Sequence, residues 1–280
     1  MIRFDTLENT PLPALCEAFN LAFSDYIVPI QLTLPLLEQK IQGENIQLSQ
    51  SIGAFSGNLL TGLILHGADI WPGPQTLYNG GTGVIPAFRG RRLVQQMYAQ
   101  FRPMYRQQGI RRIILEVITT NTPAIKAYTS SGFIASRLFH CYKGQPLQPR
   151  IRKDIQLREA TSPDWTLLNS FGDQLPSWSN SSDSIQREEA DTLTWIAFEK
   201  ETAVGFVSVY TANKRIRQIA VRQQYRRQGI GSAMLQHITK KLQGPFSITN
   251  ITDENRGLQQ FLLKAGFTPT VSQYEMEMIN

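Results

Sequence analysis

The chain repeats itself. VIPAFRGRRLVQQM at residues 84–97 lines up with VRQQYRRQGIGSAM at 221–234, an offset of 137 residues. Asn121, Gly132 and Phe133 then line up with Asn255, Gly266 and Phe267 at an offset of 134 residues. Two anchor blocks in the same order, at nearly the same spacing, mark a tandem duplication. The fold must therefore be two similar domains, and 280 residues suffice, since a domain of about 140 residues is ordinary.

Local patterns fill in each copy. Residues 11–23 carry apolar side chains at helical spacing, and a second helix is expected over Pro35–Gln42. The turn Ser56-Gly57-Asn58 joins two strand-like runs into a hairpin. Leu77–Val84 reads as a glycine-rich strand, and Phe139–Tyr142 as the last strand of the first copy. The polar stretch KGQPLQPRIRKD (143–154) suggests a linker at 146–153, between a first domain at 1–145 and a second at 154–280. In the second copy TLTWIAFEKETAVGFVSVYT is another hairpin with its turn near Lys200, and the Ser-rich residues 172–190 read as loop.

An apolar fraction of 41% lets each half bury a core without metal or disulfide support. Cys16 and Cys141 form no disulfide framework, and His66, His140 and His237 have no metal-ligand spacing. The sequence lacks a signal-peptide pattern and an apolar run of 18 residues, so a cytoplasmic chain without membrane spans is expected. The net charge of +6 favours an anionic partner. The basic residues gather at two turns with no interleaved aromatic stripe, which ranks nucleic acid last.

Those turns carry the chemistry. Arg226-Arg227-Gln228-Gly229-Ile230-Gly231 lies between a strand and a helix of good formers. Such a turn lets backbone N–H groups and the helix N-terminus converge on phosphate, although close strand–helix packing would also select the glycines. The first copy has Arg92 and Val94 where the second has Gly229 and Gly231. Arginine can serve phosphate electrostatically, but close backbone approach is less assured.

Val221, the turn Arg226–Gly231, Asn255 and Gly266-Phe267 together resemble the GNAT superfamily of acetyltransferases. Val84, Pro86, Arg89, Gly90 and the run LEVITTNTPAIKAYTSSGF resemble it in the first copy. The resemblance implies an α/β fold of two tandem domains, each a mixed, mostly antiparallel central sheet flanked by helices. It further implies transfer of an acetyl group from acetyl-CoA to a primary amine by direct attack, without a metal. Cofactor contacts would fall on Gly83, Val84, Arg89, Gly90, Arg91, Arg92, Leu93, Val94, Gln95, Asn121 and Ala124. The second-copy equivalents are Val221, Arg226, Arg227, Gln228, Gly229, Ile230 and Gly231. Tyr128 matches the family tyrosine that protonates the departing thiolate, and Glu116 matches a glutamate used as base. The second copy has Leu262 and Asn250 there, so the first domain is expected to be catalytic and the second degenerate, shaping the acceptor cleft or supporting a homodimer.

Plainer roles compete with each of these. Tyr128 would suit a core, Glu116 could face solvent or pair with Arg111 or Arg112, and Asn121 would cap the helix before Pro123. Two other functions stay open: a catalytically silent CoA-binding sensor, and acetyl-CoA held in the second domain by its glycine turn. Acceptor choice is expected to lie in Ser24–Thr33, the Trp71–Gln75 loop and the Trp178 region.

Overall fold

The computed structural model describes residues 1–147, 152 and 154–280. The linker expected at 146–153 therefore falls mostly outside the described residues. In order, the elements are β1 (Ile2–Thr6), α1 (Leu12–Ala22), α2 (Leu34–Gly43), β2 (Ile52–Ser56), β3 (Leu59–Ile70), β4 (Gln75–Val84), α3 (Leu93–Gln107), β5 (Arg112–Ile118), α4 (Thr122–Ser130) and β6 (Ile134–Gly144). They continue with β7 (Ile155–Glu159), α5 (Trp165–Asn169), α6 (Ser182–Arg187), β8 (Thr192–Glu199), β9 (Thr202–Tyr210), β10 (Arg215–Val221), α7 (Ile230–Leu242), β11 (Phe246–Thr252), α8 (Arg256–Lys264) and β12 (Phe267–Ile279).

Two compact units result, and they do not follow the halves of the sequence. Unit 1 comprises Met1–Arg137 together with Tyr274–Asn280, and unit 2 comprises Leu138–Gln273. The chain thus leaves unit 1 part-way along β6 and returns to it part-way along β12. The strand read as the last of the first copy is longer than expected, and its second half belongs to unit 2.

In unit 1 the strand order is β1-β2-β3-β4-β5, followed by the C-terminal part of β12. β4 and β5 pair in parallel, whereas β1 with β2, β2 with β3 and β3 with β4 are antiparallel. In unit 2 the order β6-β11-β10-β9-β8-β7 holds, with β10 and β11 the parallel pair. Each unit is thus a mixed, mostly antiparallel sheet carrying helices.

Helix α3 shows why. Its apolar residues Leu93, Met97, Tyr98, Phe101 and Tyr105 recur at helical spacing and are all buried. They pack on Ile113, Leu115 and Val117 of β5 and on Met276 and Met278 of β12. On β4 the glycines admit helix α1: a Cβ on Gly83 would lie 2.7 Å from Ala22 and 3.0 Å from Phe23.

One irregularity recurs in both units and shapes the site. Opposite β3, the register of β4 slips between Asn79 and Gly81, leaving Gly80 as a bulge. Opposite β9, β10 slips in the same way at Arg217, which is Gly80 plus the repeat offset of 137. The parallel pairing stops just short of each bulge, at Asn79↔Leu115 and at Ile216↔Ile248. The strands run on to Val84, Ile118, Val221 and Thr252 without it, so each unit has an opening between its two parallel strands.

Candidate active site

The two repeat turns have the same backbone and divide their glycines differently. In unit 1 Gly90 and Arg92 are left-handed, with φ of 75° and 56°. In unit 2 the left-handed residues are Arg227 and Gly229, with φ of 60° and 86°. Each turn therefore sets one glycine and one arginine in a conformation that costs an L-residue roughly 1–2 kcal/mol. Arg92 adopts the left-handed conformation that Gly229 does.

The second difference between the turns is one of packing. A Cβ on Gly231 would lie 2.9 Å from the Phe261 ring. In unit 1 the matching residues are Val94 and Ala127, so volume moves from one helix to the other across the same contact. Gly231 thus lets α7 approach α8, a helix–helix contact and not the strand–helix packing that the plainer reading had.

The first arginine of each turn also has a task that the sequence reading did not foresee. Arg89 donates from Nε to Val84 O at 3.0 Å, from Nη2 to Ala22 O at 3.0 Å, and to both oxygens of Asp25 at 2.6 and 2.7 Å. Four of its five donors are thus occupied, where phosphate had been expected. Arg226 repeats the pattern on Val221 O, Phe171 O and Asp173, at 2.6–3.1 Å. The missed signal was present in the sequence as Phe23-Ser24-Asp25 and Phe171-Gly172-Asp173.

The exposed Arg91 and Arg92 side chains stand at the start of α3, beside the backbone N–H groups of its first turn, Leu93, Val94 and Gln95, which have no partner within the helix. A Cβ on Gly90 would meet no atom within 4 Å, so the approach is open. These residues fit a phosphate group.

Glu116 and Tyr128 both belong to unit 1. Glu116, on β5, is half-buried and accepts a hydrogen bond from the Tyr78 hydroxyl at 2.5 Å. Burial pushes its carboxyl up to about 7; the Tyr78 bond opposes this, Glu275 and Glu44 add to it, and Arg137 opposes it. Arg112, one of the partners expected for Glu116, lies 4.0 Å from Glu277. Tyr128, on α4, is 8% exposed and packs edge-on against Phe133. Burial pushes its phenol up to about 12, against a hydrogen bond from Thr82. Asn121 caps α4 through Ala124 N–H at 3.2 Å, and it also hydrogen-bonds Tyr26 from the expected acceptor region Ser24–Thr33.

Unit 2 fills the equivalent space. Leu262 is fully buried in the core. Asn250 bonds Ser177 at 3.2 Å and Gln273 at 2.8 Å. The bulge residue Arg217 turns a buried side chain onto Glu188 and onto Ser184 Oγ. Asn180 donates to Thr249 O at 2.9 Å. Residues 172–190, expected to be loop, include the turn Trp178–Asn180 and helix α6, and Trp178 is 1% exposed. The Trp178 region thus packs across β10 and β11 of unit 2, where Asn180 also accepts from Gln218 at 2.7 Å.

The acetyltransferase (GNAT) family model matches residues 38–133 and 156–267. Similar structures include a tandem GNAT protein from the clavulanic acid biosynthesis pathway, solved without AcCoA, at 14% identity and a TM-score of 0.75, covering 100% of this chain and 98% of that one. A GCN5-related N-acetyltransferase from Sphaerobacter thermophilus is similar at 15% identity and a TM-score of 0.74, over 99% of this chain and 95% of its own. A putative acetyltransferase from Pyrococcus horikoshii has 13% identity and a TM-score of 0.70, over 100% and 89%. At such identities the likeness is one of fold. No curated protein sequence matches this one significantly.

Proposed function

Because the chain belongs to the GNAT family of acetyltransferases, and so carries the fold of enzymes for acyl transfer, we propose that it is an acetyl-CoA-dependent N-acetyltransferase acting on a primary amine in unit 1. The observation that carries this reading is the contrast between the units. Unit 1 sets a half-buried carboxyl and a buried phenol where unit 2 sets Asn250 and Leu262.

Bound acetyl-CoA would supply the thioester carbonyl that the amine attacks and the thiolate that leaves. Arg91, Arg92 and the first-turn N–H groups of α3 hold the pyrophosphate. Glu116 accepts the proton from the amine, directly or through water, and its position near 7 suits a base at neutral pH. Tyr128 stays protonated at that pH and donates to the sulfur. Backbone N–H groups of β4 beyond the end of its pairing with β5, near Val84, polarise the thioester oxygen. No covalent enzyme intermediate is required.

The test is release of CoA thiol over a panel of primary amines. Tyr128→Phe should lower kcat by about 10²–10⁴-fold with the KM for acetyl-CoA nearly unchanged. An unchanged kcat removes Tyr128 from the reaction, and silence over the whole panel favours the CoA-binding sensor.

One observation favours a second reading, in which unit 2 also binds acetyl-CoA: Gly229 takes its left-handed conformation without a side chain. Calorimetric titration of the full chain separates the two readings, as one equivalent or two.

A further inference from the structure

The chemistry proposed above gives Glu116 the amine proton and gives no task to the phenol that touches it. Tyr78 belongs to β4 and Glu116 to β5, the strands whose parallel pairing ends at Asn79↔Leu115. Tyr78 pairs with Ile114, and Glu116 lies two residues further along β5. Side chains two apart on a strand share a face, so Tyr78 and Glu116 point to the same side of the sheet. It is the side away from α3, on which Ile113, Leu115 and Val117 pack. There the Tyr78 hydroxyl meets Glu116 Oε2 at 2.5 Å. The phenol thus reaches past the last paired residues to the carboxyl, where the strands have parted.

The direction of this hydrogen bond is fixed in the state that reacts. A base must be ionised before it takes a proton, and an ionised carboxylate only accepts hydrogen bonds. Tyr78 therefore donates. Its ring is 6% exposed, so packing sets where the hydroxyl stands. A donor so placed orients the carboxylate and favours its charged form.

Besides burial, three charged groups bear on Glu116. Glu275 on β12 and Glu44 at the end of α2 oppose its ionisation, and Arg137 on β6 favours it. Glu275 accepts from Arg137 at 2.6 and 2.8 Å, and Glu44 from Lys40 at 2.7 Å. Each flanking carboxylate thus carries a cation, which mutes its field. A phenol supports the charge on Glu116 without the full field of a cation, so the carboxylate stays basic enough to take a proton. Unit 2 keeps neither member of the pair: at the repeat offsets of 137 and 134 stand Arg215 and Asn250.

We propose that Tyr78 is a positioning residue for the base, which fixes the Glu116 carboxylate through Oε2 and stabilises its charged form. The proposal rests on Glu116 being that base.

The experiment follows kcat/KM against pH in the full chain, with acetyl-CoA and an aromatic amine of low basicity. Tyr78→Phe keeps the ring and removes the donor. The rising limb, expected near 7 in the parent, should move up by about one pH unit, so that rates below it fall about tenfold. A ring-fluorinated tyrosine at position 78, a more acidic donor of nearly the same shape, should move the limb down. If Tyr78→Phe does not fold, the fluorinated ring carries the test. In a Glu116→Gln background, Tyr78→Phe should change neither the residual rate nor its flat profile. A readout independent of turnover is NMR of carboxyl-labelled glutamate, with the Glu116 signal assigned by its absence from Glu116→Gln. Its titration midpoint should move with the limb.

A limb and a midpoint that both stay in place, whatever the loss of rate, overturn the positioning role alone and leave Tyr78 a packing residue. A climb that survives in Glu116→Gln overturns the base assignment and the positioning role with it.

Discussion

Arg89 and Asp25 form a bidentate ion pair at 2.6 and 2.7 Å that ties the turn before α3 to the segment following α1. Arg226 and Asp173 repeat it in unit 2. The arginine side chain thus braces the loop from behind, leaving the backbone of the turn to face the ligand.

Bracing has a consequence that can be measured. The pair is solvent-exposed, and such pairs add little to global stability. Asp25→Asn should therefore leave the thermal midpoint nearly unchanged and raise the KM for acetyl-CoA severalfold. Asp173→Asn, the matching change in unit 2, should leave that KM alone if catalysis belongs to unit 1.

Glu116 should set a pH dependence. With its carboxyl at about 7, the ionised base grows as pH rises, so kcat/KM climbs about tenfold per pH unit below 7 and levels off above it. An aromatic amine of low basicity as acceptor keeps its own titration out of this range. Glu116→Gln should abolish the climb. Stability should run the opposite way, since a raised carboxyl binds an extra proton in the folded state between its unfolded value and about 7. On raising pH through that window the parent should lose about 3 kcal/mol relative to Glu116→Gln, read from denaturant midpoints.

Arg92 is left-handed where its counterpart is glycine. Arg92→Gly should stabilise the fold by about 0.5–1 kcal/mol and weaken acetyl-CoA binding, because a cation leaves the phosphate site. Arg92→Ala should give no such gain in stability, since its Cβ remains.

Gly231 and Phe261 should be coupled. Gly231→Val drives a side chain into the Phe261 ring and should cost about 1–3 kcal/mol. In a Phe261→Ala background, which restores the Val94–Ala127 arrangement of unit 1, the penalty should disappear. Chemical denaturation of the four proteins gives the coupling energy.

Much of this was legible in the sequence, for physical reasons that can be named. The repeat located both turns, and the hairpin at Ser56-Gly57-Asn58 was readable because Gly57 has to be left-handed. Residues 172–190 were misread because Ser and Asn usually mark solvated loops. Here Asn180, Ser181 and Ser184 are buried and hydrogen-bonded. The hydrogen bond from Gly81 N–H to Asn79 Oδ1 was hidden because it lies at a slip in register that no local pattern records. Glu116 and Tyr128 were singled out through family likeness alone, whereas Tyr78, which donates to Glu116, lies on the glycine-rich strand β4, where no motif marks it.

The passage of the chain between units within β6 and β12 bears on how the protein is made. A ribosome delivers Met1–Arg137 before unit 2 and Tyr274–Asn280 after it, so unit 1 cannot close until unit 2 has been made. Met276 and Met278, which seal the core beneath α3, emerge after the whole of unit 2. Until then Tyr98, Phe101 and Tyr105 wait uncovered. Unit 1 is thus begun before unit 2 and finished after it, and cutting the gene between its two repeats would yield neither unit intact.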